Sequence, residues 1–175
     1  INFAAQGALV TAVALASALP ELGVTSSRIR LKWPNDVLVD GAKISGILLE
    51  GEAEGPATRW LVVGTGLNLA HHPSDTRHPA TNLAALGLQV PAETALAAYL
   101  AAFDLWWSRW RRYDFQVIGT AWAARTLHKP GDVLRITQGQ ELQELIYQGL
   151  APDGALVVRG PDGLEKHIVS GEIFT

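Results

Sequence analysis

The chain has 175 residues, of which 48% are apolar and 18% charged, a balance that can fill a core and excludes global disorder. Its formal charge of −3 lacks the basic field that phosphate-backbone binding needs, which argues against a dedicated nucleic-acid binder. Cysteine is absent, so disulfides, thiolate metal sites and cysteine nucleophiles are excluded together, and a cytoplasmic, reducing location is expected.

Methionine is absent too and the chain opens on Ile1, so residues are expected upstream. The first twenty residues carry no charge, but no basic segment precedes the apolar run and polar residues interrupt it. A buried, alanine-rich helix over residues 3–19 is expected instead of a signal or membrane segment. Residues 28–33 alternate charged and apolar positions, the period of a strand. Pro34-Asn35-Asp36 breaks the strand, 37–39 resumes it, and Asp40-Gly41 signals a hairpin into a strand over 43–49. Residues 59–69 form a further strand with Gly64 and Gly66 near its end. This order predicts an α+β sheet with helices on one face.

Residues 71–90, rich in His, Pro, Asp and Thr, read as a long loop of the functional or mobile kind. From Ala92 the period is helical, with Leu96, Tyr99, Leu100, Phe103, Trp107 and Trp110 on one stripe. A second helix is expected over 114–125 with Trp122 buried. Beyond Pro130-Gly131, short strands at 132–137, 143–150, 155–159 and 166–169 alternate with two Pro-Asp-Gly turns. They predict a small β-barrel, too short to stand alone and so packed on the first unit.

Three motifs could carry chemistry. In KWPND, Lys32 to Asp36, proline stiffens the backbone around Trp33 and Asn35, which suits a site that must hold polar groups in place. In KISGIL, strand alternation puts Ile44, Gly46 and Leu48 on one face and Lys43, Ser45 and Ile47 on the other. A lysine heading such a strand either snorkels or meets an anion, and Gly46 permits close approach of a ligand. GTGLN, with Gly64, Gly66, Leu67 and Asn68, allows backbone approach but is not the dinucleotide fingerprint, because Leu69 stands where a third glycine is needed. Glu50, Glu52 and Glu54 would share a face and could hold a divalent cation, but Glu52 and Glu54 read as a solvated strand end. His71, His72 and His78 lack zinc-ligand spacing, so no protein metal site is expected.

The order and spacing of these motifs closely resemble the biotin protein ligase family over essentially the whole chain. KISGIL begins seven residues after Asp36, GTGLN follows, and a helical pair and terminal β-module complete the pattern. The resemblance implies a biotin/lipoate ligase-like α+β catalytic domain, a mixed sheet with helices packed on it, over residues 1–128. A C-terminal SH3-like barrel over 129–175 would complete it. It implies that biotin and ATP, with Mg2+, give biotinyl-5′-AMP, which acylates a lysine on the biotin carboxyl carrier protein of a biotin-dependent carboxylase. Lys43 would be the active-site lysine and Asp36 would assist deprotonation of the incoming lysine. Lys32 would face ATP phosphates, with Trp33 and Asn35 in the same motif. Gly46, Ile47, Gly64, Gly66 and Leu67 would line the biotin pocket and Asn68 would sit near the adenylate. No membrane or nucleic-acid partner is implied, and a homodimer is left open. The family's GRGRxGRxW loop and its serine/threonine-asparagine biotin contact are not found in these residues and are expected upstream, as is any DNA-binding module. A lipoate ligase and a non-catalytic biotin-binding protein remain as alternatives; the KWPND context and the terminal barrel favour biotin over lipoate.

Overall fold

A long uncharged helix forms the centre of the molecule. In the computed structural model, which describes residues 3–54, 57–76, 78–139 and 141–174, α1 spans Phe3–Ala18 and continues into a short 3-10 turn at Leu19–Leu22. Leu9, Val10, Ala12, Val13, Leu15 and Ala16 are each at most 1% exposed. A helix covered on every side needs no polar face, which is why its sequence shows no amphipathic period. The stretch Ala5–Leu22 is long and apolar enough to cross a membrane, but 78% of it is buried inside the protein.

Four antiparallel strands pack against it in the spatial order β1-β2-β3-β4: β1 Ile29–Lys32, β2 Asp36–Val39, β3 Ala42–Glu54 and β4 Ala57–Leu67. Gly7 lets α1 approach closely, since a Cβ there would lie 3.1 Å from Leu61. The acidic strand end is a surface feature, as expected. Glu52 accepts from the Trp60 indole at 2.9 Å, while the side chain of Glu54 lies outside the described residues.

Helices α2, Ala92–Tyr113, and α3, Gln116–Ala123, cover the other side of α1. Trp122 is buried as expected, but the α2 stripe is displaced. Its inward face carries Ala95, Tyr99, Trp106, Trp107 and Trp110, whereas Leu96 and Leu100 are 55% and 52% exposed. The bulk of the tryptophans sets the rotation of the helix, because they remove more apolar area from water than the two leucines.

Five strands form the second sheet, ordered β8-β7-β6-β5-β9: β5 Val133–Gln138, β6 Glu141–Leu150, β7 Leu156–Arg159, β8 Glu165–Ile168 and β9 Glu172–Phe174. The last strand has no counterpart in the sequence reading. The core of this module is continuous with the core around α1. Two long-range hydrogen bonds fix the docking: Gln6 Nε2 donates to Pro152 O at 2.7 Å, and Trp33 Nε1 donates to Gly154 O at 3.3 Å. Gly154 has φ +87, and a Cβ there would lie 3.3 Å from backbone atoms of Ala5 and Gln6. Both its conformation and its closeness to α1 therefore demand glycine.

Candidate active site

The turn from Lys32 to Asp36 is held rigidly from three directions. Its two ends pair across β1 and β2. The Asn35 carboxamide donates to Ile47 O at 2.8 Å, and Ile47 N donates back to Asn35 O at 3.0 Å. Trp33, 2% exposed and joined to Pro34 by a cis peptide, reaches the β6–β7 turn through its indole nitrogen. Trp33, Asn35 and Ile47 thus support the site from behind and do not line its cavity.

Strand β3 departs from simple alternation. Its register against β2 shifts between Val37, opposite Ser45, and Leu38, opposite Lys43, so that Ile44 is an extra residue. A bulge of this kind re-aims the side chains that precede it. Ile44 and Ser45 both turn inward, at 0% and 1% exposure, and Lys43 joins Gly46 on the outer face. This corrects the alternation read from the sequence, which placed Lys43 with Ser45 and Ile47, and Ile44 with Gly46. Lys43 Nζ lies 2.5 Å from Asp36 Oδ1. A Cβ at Gly46 would come within 3.0 Å of Lys43 Cε and 3.1 Å of Nζ, so the missing side chain is the space through which the lysine runs.

Gly46 and Leu48 face Gly66 and Gly64 across the β3–β4 ladder, while Ser45 Oγ donates to Gly66 O at 2.6 Å. Leu48 is 64% exposed. The result is a flat, side-chain-poor stretch of strand surface beside Lys43, where a ligand could approach the backbone closely. Leu67 packs toward the core, and Asn68 works as a clamp: its N donates to Ile44 O and its carboxamide to Thr81 O, both at 2.9 Å.

A cavity of about 350 Å³ opens over Lys43, Asp36, Gly46 and Asn68. Its far wall comes from the loop, through Thr76 and His78, and from the second sheet, through Glu172. Behind it lies Lys32, 6% exposed, with no hydrogen bond or close ion pair among the described residues. Burial pushes the Lys32 ammonium below its usual pKa, the charges of Asp36 and Glu172 act against that, and Lys43 adds to it. A half-desolvated cation of this kind can favour a nearby anion. A wider hollow of about 910 Å³ near Trp107 and Trp110 contains none of the three motifs. Among the described residues no cluster of three or more His, Asp or Glu side chains could hold a metal.

Sequence reasoning missed Glu172 and His78 as parts of this cavity. The loop had been singled out for its composition, but Glu172 belongs to a three-residue strand far along the chain, with no local pattern to betray it.

Fold and site together define a class: an α+β domain that gathers lysines at a glycine-lined strand pair, with a small SH3-like barrel docked against it. The first 124 residues match the biotin/lipoate A/B protein ligase family, and residues 135–175 match the biotin protein ligase C-terminal domain. The chain is 35% identical to the biotin–[acetyl-CoA-carboxylase] ligase of Paracoccus denitrificans, over 98% of its own length and 73% of that protein's. It is 28% identical to the bifunctional ligase/repressor BirA of Bacillus subtilis over 96% of its length, spanning about half (52%) of that relative. The apo structure of Aquifex aeolicus biotin protein ligase superimposes with a TM-score of 0.80 at 25% identity, covering 97% of this chain and 74% of that one. The same Aquifex protein has been solved in complex with biotin and ATP. The chain belongs to the biotin protein ligase family.

Proposed function

We propose that this protein uses ATP to activate biotin as biotinyl-5′-AMP and transfers the biotinyl group to a lysine of a biotin carboxyl carrier protein. Membership of the family and the names of its relatives support the reading. The observation that carries it is the arrangement of Lys32 and Lys43 around Asp36, at the end of a glycine-lined strand pair. Biotin would lie along Gly46, Gly64 and Gly66, with its carboxylate at Lys43. A carboxylate oxygen attacks the α-phosphorus of ATP, forming one P–O bond as the bond to pyrophosphate breaks. Lys32 and Lys43 stabilise the negative charge that gathers there, as positioned cations do.

In the second step the acceptor amine attacks the acyl carbon and AMP leaves. A lysine with pKa about 10.4 arrives protonated. Asp36 is the base we assign to that proton, since general bases work within hydrogen-bond reach of the amine. Mg2+ would enter with the nucleotide phosphates, as Mg2+ commonly does. Residues 1–128 would supply the chemistry and 129–175 a wall of the cavity. A cytoplasmic setting suits such a partner.

The test is intact-mass analysis of a carrier domain after incubation with the intact protein and MgATP, with biotin and lipoate in parallel. A biotin-sized adduct on one lysine is expected. A lipoate adduct alone would move the assignment to lipoate ligation, and biotin binding without any adduct would mark a non-catalytic protein.

A further inference from the structure

We propose that His78 is a positioning residue, through which the last strand of the barrel holds the backbone of Lys43 in place. The inference rests on the reading of Lys43 as the active-site lysine. Strand β4 pairs with β3 only as far as Ser45, opposite Leu67. At Lys43 its place is taken by the loop. Lys43 N donates to Pro79 O at 2.8 Å, Thr81 N donates to Lys43 O at 2.9 Å, and Ala80 forms a parallel bridge with Lys43. Both backbone polar groups of the lysine are therefore satisfied by a segment that belongs to no regular strand.

Something must hold that segment. On its downstream side Asn68 does so, through Thr81 O and Leu83 N. On its upstream side the holder is His78, the residue next to Pro79. Its Nε2 lies 3.3 Å from Glu172 Oε1, and its ring packs on Phe174 with centroids 5.8 Å apart. Strand alternation puts Glu172 and Phe174 on one side of β9, toward the loop, while Ile173 at 0% exposure anchors the strand in the barrel core. The path is short and continuous: barrel core, β9, His78, Pro79 to Thr81, Lys43. The barrel thereby acts on the backbone of the reacting lysine through this path. The path matters because β4 ends at Leu67, opposite Ser45, and leaves Lys43 beyond its ladder.

Backbone amide exchange reads this directly and needs no turnover, so it stands apart from the ligase assignment. In His78→Ala the amides of Lys43 and Thr81 are expected to lose protection about tenfold, the scale of one net hydrogen bond. The Ile47 amide, bonded to Asn35 O, should keep its protection. Glu172→Gln, which keeps a hydrogen-bonding side chain and removes the charge, should give a smaller loss at the same two amides. In single-turnover adenylate formation, His78→Ala should lower the maximal rate about tenfold, with KM for biotin within twofold, since small misplacements of a reacting group are costly. Wild-type protection of Lys43 and Thr81 in both folded variants would overturn the proposal. So would equal loss at Ile47, which would mark a general loosening of the sheet.

Discussion

Adding one carbon at Gly46 should separate activity from stability. Gly46→Ala puts a Cβ 3.0 Å from Lys43 Cε and 3.1 Å from Nζ, with Asp36 Oδ1 at 4.0 Å. These distances are several tenths of an ångström short of comfortable contact. The neighbour that must yield is the end of a flexible side chain, so the backbone stays and the ammonium moves. The Lys43 side chain is 41% exposed, so loosening its pair with Asp36 costs about 1 kcal/mol at most. Alanine recovers roughly 0.5–1 kcal/mol over glycine in a strand interior. The two effects nearly cancel, and the urea midpoint should stay within about 1 kcal/mol of wild type. Adenylation should not tolerate the change. Displacing a reacting group by about 1 Å costs on the order of 100-fold, and losing a preorganised donor about 100- to 1,000-fold. A partial displacement should therefore lower the single-turnover rate of pyrophosphate release by about 10- to 100-fold, with Lys43→Ala setting the floor. A rate within threefold of wild type would refute the claim that the empty space at Gly46 is what positions the lysine. A loss of several kcal/mol in stability would show that the backbone, not Lys43, gives way.

Asp36→Asn keeps the shape of the side chain but removes its basicity; it should slow transfer to the carrier more than adenylate formation, and equal losses in quench-flow assays of the two steps would count against the base assignment. Burial holds the His128 imidazole below its usual pKa, with Asp132 opposing and Lys32 adding to the effect. The unfolded chain therefore takes up a proton that the fold refuses. Stability should fall as pH drops below about 6.5, by up to about 1.4 kcal/mol per pH unit for this group. His128→Leu should remove that part of the slope in urea melts between pH 7.5 and 5.5; an unchanged slope would exclude His128 as its source. Gly154→Ala forces a side chain at φ +87 against the α1 backbone and should destabilise by about 1–3 kcal/mol in thermal or urea melts. A neutral result would mean that the docking of the barrel on α1 is looser than the hydrogen bonds at Gln6 and Trp33 indicate.

What could be read from the sequence was whatever depends on local period and turn chemistry. The alanine-rich helix, the Asp40-Gly41 hairpin, the Trp122 helix and the Pro-Asp-Gly turns of the barrel all emerge where their signals put them. The misreadings have a common physical source. Alternation in KISGIL is a statement about a regular strand, and the extra residue at Ile44 appears only when β3 is set in register against β2. The rotation of α2 follows from what it packs against, so Leu96 and Leu100 looked inward by spacing and are exposed in fact. Glu172 joins the cavity through contacts across the chain, and a run of Gly-Glu-Ile carries no mark of such a partner.

The same distinction explains where the molecule departs from a well-satisfied core. Around α1, polar side chains find partners within a turn or two, as Thr11 does at Gly7 O and Ser17 at Val13 O. On the side of the sheet around Lys32, two titratable groups are less well served. Burial of Lys32 outweighs the charges of Asp36 and Glu172, and His128 Nε2 is buried with no hydrogen-bond partner among the described residues. The charge of Lys32 adds to burial in holding the His128 imidazole below its usual pKa. Local rules are broken only where the large, uncharged core around α1 can absorb the cost. An anion arriving beside Lys32 would add to the counter-charge of Asp36 and Glu172. Ligand binding should then stabilise the fold by the amount its affinity and concentration set, and the charge of Lys32 enters through that affinity. Lys32→Met should weaken ATP binding and shrink the ATP-induced rise in the urea midpoint; an unchanged rise would exclude Lys32 from the anion site.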